Sequence, residues 1–197
     1  MKRLLFRRNR KAGAGAPLLC LMKIEAWLRL RAGRIAAVCR GISAFSSAAA
    51  ETVKETVVYR TIGGCEIKAD IIHDGIQKPR PAIVWIHGGG VINGHRESIP
   101  AQVRDFASDN GFVLASLDYR LAPETKLPAI LGDLEDAFRW LRGEGAARFG
   151  IDPGRIAVSG GSAGGFLSLC AGFRVKPAPR VLLAFWGYGE ILSDWAS

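Results

Sequence analysis

From Glu51 onward, short runs of β-branched and apolar residues alternate with stretches in which apolar residues recur every three or four positions. "TVVYRT" and "CEIKADIIH" flank the pair Gly63-Gly64 and read as a β-hairpin. Four continuous apolar runs follow, near 81–86, 112–118, 156–159 and 180–186, each the length of a strand buried on both faces. Between them lie helical patterns. "PAQVRDFASDNG" brings Val103, Phe106 and Ala107 to one face and stops at Gly111. "AILGDLEDAFRWLRGEG" sets Leu131, Leu134, Phe138 and Leu141 at helical spacing, with Asp133, Glu135, Asp136 and Arg142 expected in water. "AGGFLSLCAGF" is a short apolar helix. Strands alternating with helices predict an α/β fold: a mostly parallel sheet, helices on both faces, preceded by the hairpin.

Residues 1–50 break this pattern. They hold 11 of the 27 Lys and Arg and one of the 18 acids, Glu25, and end in "AFSSAAA". The other 147 residues are close to neutral, so the net charge of +9 belongs to an arm rather than to the domain. The division predicted is a basic arm, 1–50, and an α/β domain, 51–197. Three readings of the arm stay open: a degenerate targeting segment, a non-native upstream extension, or a polyanion-binding tail. It fixes no cellular address. Nothing in the chain approaches the roughly 18 apolar residues of a membrane span. Cys20, Cys39, Cys65 and Cys170 have no zinc-like spacing and read as small apolar residues. No metal, cofactor or specific nucleic acid is expected.

The chemistry sits at two glycine-rich turns. Gly160-Gly161-Ser162-Ala163-Gly164 matches G-x-S-x-G between a strand and a helix, where a nucleophilic hydroxyl would be held on a strained turn. Alone, the string could also be a phosphate cradle or a packing turn. His87-Gly88-Gly89-Gly90 after the strand "PAIVWI" supplies backbone N–H groups with no side chain in the way, as a tetrahedral acyl intermediate requires. His87 reads as a hydrogen-bonder fixing that loop. In "DYRLAPE", Tyr119, Arg120 and Glu124 are expected to make buried polar contacts while Pro123 stiffens the turn.

Together "HGGG", "DYRLAPE" and "GGSAGG", in that order, resemble the α/β-hydrolase superfamily and, within it, the hormone-sensitive-lipase-like esterases and carboxylesterases. The resemblance runs from about Val57 to Trp195. It implies Ser162 as nucleophile, Gly88, Gly89 and Ala163 as oxyanion hole, a small ester as substrate and an acyl-enzyme mechanism. Gly161 stands where these esterases often carry an acid, and Val91 where an aromatic is common. The family's triad runs Ser, acid, His, yet His73, His87 and His95 all precede Ser162. Glu190 and Asp194 follow Ser162 too soon to match the family's acid. The triad acid and histidine are therefore unassigned, and the chain reads as the N-terminal two-thirds of a hydrolase. The alternative is an inactive fragment. On that reading the strand at 180–186 is expected to be an exposed edge prone to self-association.

Overall fold

A computed structural model describes residues 52–188 and the backbone of residues 18–22. Six strands between residues 53 and 185 and one short strand from the arm form a single sheet. They are β1 (Leu18–Met22), β2 (Val53–Ile62), β3 (Cys65–His73), β4 (Arg80–Ile86), β5 (Val113–Leu117), β6 (Ile151–Gly161) and β7 (Val181–Phe185), in the spatial order β1-β7-β6-β4-β5-β3-β2. The helices are α1 (Ala101–Asp109), α2 (Leu127–Arg142), the short α3 (Glu144–Phe149) and α4 (Ala163–Arg174). The α/β architecture expected from the apolar pattern is the one observed.

The hairpin forms because Gly63 and Gly64 both take positive φ (56° and 82°), the geometry of a two-residue turn whose twist matches that of its strands. β3 then pairs antiparallel with β5, and every pairing from β5 to β1 is parallel. Along β4, Ala82, Val84 and Ile86 join a large core with Ile130, Leu134 and Phe138 of α2 and Leu167 of α4. Ile83 and Trp85 face a smaller core with Ala107 of α1. Period-2 alternation inside an all-apolar run is what places both faces of this strand in contact with helices.

Four expectations are corrected. Asp133 is fully buried rather than in water, because Arg120 reaches over α2 to pair with it. Phe106 is exposed and rests against Phe112 at 5.8 Å between ring centroids, leaving Ala107 as the buried residue of α1. Glu124 is exposed, so only Tyr119 and Arg120 of that loop make the buried polar contacts. The apolar edge at β7 is not open: the backbone of Leu18–Met22 pairs with it in parallel, Leu18 opposite Val181 and Met22 opposite Phe185. A strand from the arm thus takes up the hydrogen-bonding groups that β7 would have presented to another molecule. The remainder of residues 1–50, and Glu190 and Asp194, lie outside the described residues. No helix among the described residues is long and apolar enough to cross a membrane.

Candidate active site

The topology decides where the two glycine turns meet. After β4 the chain passes through α1 to β5 on one side, then returns through α2 and α3 to β6 on the other side of β4. In such sheets the crevice at the carboxyl ends, where strand order reverses, is open to a ligand. Ile86 lies opposite Gly160, so the turns after β4 and β6 are neighbours. A β-carbon on Gly88 would stand 3.4 Å from Ser162 Cβ and 2.9 Å from the Gly161 carbonyl oxygen. Glycine is what lets the two turns come this close.

Ser162 sits between β6 and α4 with φ 56° and ψ −122°, a sparsely populated conformation for a residue with a side chain. Its N–H donates to the Phe185 carbonyl at 2.9 Å, and its own carbonyl accepts the first bond of α4, from Phe166 N–H at 3.0 Å. The backbone is thereby fixed from both sides. Serine in this N-cap place usually turns its hydroxyl onto the first-turn amides. Here it makes no such bond, and the hydroxyl is kept out of capping. The first-turn N–H groups of α4, Ala163 among them, have no intrahelical acceptor.

The β4 turn is fastened by its histidine. His87 is buried and stacks on Tyr119 at 4.3 Å between ring centroids. Its Nδ1 lies 2.7 Å from the Gly88 carbonyl; a carbonyl only accepts, so Nδ1 carries the proton. Burial lowers the imidazole pKa below its ordinary value, although the Gly88 bond and the Asp118 charge act in the other direction. The Tyr119 hydroxyl donates to the His87 carbonyl at 3.1 Å, and burial pushes its pKa above that of a free phenol. This is the role the sequence suggested for His87.

The other two histidines are engaged elsewhere. His73, at the end of β3, lies 3.3 Å from Glu55 and accepts from Gly75 N–H. His95 is exposed beside Glu97 and Ser98. Among the described residues, no histidine hydrogen-bonds the Ser162 hydroxyl. The geometry therefore brings together Ser162, Gly88 and Ala163, with Gly89 next in the loop at φ 102°. Among the described residues, the imidazole that reaches this group, His87, bonds the Gly88 carbonyl and not the Ser162 hydroxyl.

A family model for the α/β hydrolase fold matches residues 83–190, which contain both turns. The chain belongs to the α/β hydrolase fold family. Its α/β hydrolase relatives include carboxylesterase NlhH of Mycobacterium tuberculosis, 46% identical over 88 residues that make up 45% of this chain and 27% of the relative. Non-reducing polyketide synthase Preu6 of Preussia isomera is 33% identical over 144 residues, 67% of this chain and 7% of that protein. Among solved structures, the propionate-bound esterase Est2 of Thermogutta terrifontis superposes with a TM-score of 0.55 at 33% identity, covering 60% of this chain and 44% of that one. The chain thus spans less than half the length of each of these proteins.

One contributor escaped the sequence reading. Arg96, in the loop between β4 and α1, donates to both Asp70 and Asp118 at 2.8 Å. Its partners are 26 and 22 residues away, a distance at which no local pattern signals a pair.

Proposed function

We propose that the chain carries the acyl-transfer centre of a serine carboxylic-ester hydrolase acting on small esters. The Ser162 oxygen adds to the ester carbonyl carbon as its proton leaves to a base, and the carbonyl oxygen becomes an oxyanion held by the N–H groups of Gly88, Gly89 and Ala163. Collapse expels the alkoxide, which takes up a proton and departs as the alcohol, leaving an ester on Ser162. Water then attacks that ester, and the acid is released. The observation that carries the reading is the strained, uncapped Ser162 set against Gly88 at the switch point of the sheet. The esterase names of the relatives support the choice of an ester over another acyl compound.

A second reading, a chain that binds acyl compounds without turnover, is favoured by one fact: no histidine among the described residues is bonded to Ser162. Brief exposure to p-nitrophenyl acetate followed by intact-mass analysis, for the chain and for Ser162→Ala, separates the two. With an oxyanion site and no imidazole base, the steady-state acceleration expected is about 10³ to 10⁴ over water with or without Ser162, because it comes from the oxyanion site and binding. A chain left unlabelled would leave the second reading.

A further inference from the structure

The loop from His87 to Pro100 leaves β4, doubles back and enters α1. Its two limbs touch where Gly94 returns: a β-carbon there would overlap the His87 ring and stand 2.6 Å from the Gly88 carbonyl oxygen. Two residues beyond the contact is Arg96. Its guanidinium donates through Nε to Asp70 Oδ1 at 2.8 Å and through Nη1 to Asp118 Oδ2 at 2.8 Å; its backbone N–H donates to Asp118 Oδ1 at 2.7 Å. The carbonyl of Arg96 accepts from Ser116 Oγ at 2.6 Å. Four bonds from one residue thus tie the returning limb to β3, to β5 and to the end of β5.

The receiving groups are rigid. Asp70 is 1% exposed in mid-β3 and also accepts from Thr56 of β2 at 2.7 Å, with Lys54 at 3.5 Å. Asp118 is held by its N–H to Lys68 and by the Tyr59 hydroxyl on its carbonyl, both across to the hairpin. By comparison, among the described residues the outward limb between residues 89 and 93 has one backbone bond beyond the loop, from Ala122 N–H to the Val91 carbonyl at 2.8 Å.

We propose that Arg96 is a positioning residue for the Gly88-Gly89 turn: by locking the returning limb to Asp70 and Asp118, it presses Gly94 onto Gly88 and fixes the direction of the amides that would receive an oxyanion. The planar fork suits two carboxylates at once, which an ammonium at the same place serves only singly. The proposal rests on the oxyanion role given above to Gly88 and Gly89, but its test does not need turnover.

Amide hydrogen exchange of the full chain, resolved by peptide, is compared for wild type, Arg96→Met and Arg96→Lys. Arg96→Met is expected to raise exchange of residues 88–95 by about tenfold or more while β4 and β6 keep their protection, with Arg96→Lys recovering part of the effect. Unchanged exchange at 88–95 overturns the proposal. So does a parallel rise in all segments, which would make Arg96 a general stabiliser of the fold. Acetylation of Ser162 by p-nitrophenyl acetate, followed by mass, supplies the second arm. A slower acetylation rate in Arg96→Met at unchanged half-saturation supports positioning, and an unchanged rate contradicts it. Failure of wild type to be acetylated would sink the esterase reading and leave the exchange result to judge Arg96.

Discussion

The Cα of Gly164 lies against the carbonyl oxygen of Ile86, so close that a β-carbon at position 164 would overlap that oxygen. This contact lets the first turn of α4 pass over the end of β4, and it sets how near Ser162 comes to Gly88. Since the neighbour is backbone in a central strand, it cannot move aside. Gly164→Ala is expected to cost about 3 kcal/mol or to prevent folding, the upper range for overpacking. Gly161→Ala meets only the indole of Trp186 at 3.3 Å, and Trp186 is exposed. It should cost less than about 1 kcal/mol. Urea denaturation of both variants checks the contrast, and equal costs would contradict it.

Arg120 and Asp133 form the buried polar contact behind "DYRLAPE". Asp133 accepts from the Arg120 guanidinium at 2.7 and 3.0 Å and from its N–H at 3.0 Å, and is fully buried. Asp133→Ala leaves the Arg120 head without its anion and should destabilise by about 3 kcal/mol. A thermal or urea midpoint within error of wild type would mean that the loop takes its shape without this pair.

Stability should fall with acidification from about pH 6.5, and His87 contributes to that fall. Burial lowers its folded pKa below the 6.5 of a free imidazole. Between the two values the unfolded chain binds more protons, so the stability this group contributes is present above 6.5 and lost as pH drops through the folded value. The contribution of one group to the slope is at most about 1.4 kcal/mol per pH unit. His87→Gln is expected to flatten the stability profile from pH 6.5 downward; an unaltered slope would show that His87 titrates alike in both states.

Much of this molecule was legible in its sequence because the deciding signals are local. β4 is a bare apolar run, the hairpin has its Gly63-Gly64 turn, and Ser162 lies between a strand and a helix among glycines. What was not legible depends on partners far along the chain. Asp133 looks like a solvated helix residue until Arg120 is folded over it, and Arg96 gives no sign of Asp70 and Asp118. β1 was obscured for another reason: "LLCLM" is five residues inside an Arg-rich arm, too short to stand out, and its strand state comes from the free edge of β7.

The pairing of β1 with β7 changes the expectation for the sheet edge. With Leu18–Met22 on β7, removal of residues 18–22 uncovers an apolar edge strand, the usual template for intermolecular pairing. Sedimentation velocity at micromolar concentration should show the shortened chain associating more than the full chain. Identical distributions would mean that β1 does not protect the edge.

The claim on which the functional account stands is that Ser162 is acylated by an ester. Intact-mass and peptide-mass analysis after brief exposure to p-nitrophenyl acetate tests it without any assumption about turnover. The account predicts one acetyl group per chain, mapped to Ser162, and none on Ser162→Ala. An unlabelled chain, or a label that persists in Ser162→Ala, would contradict it.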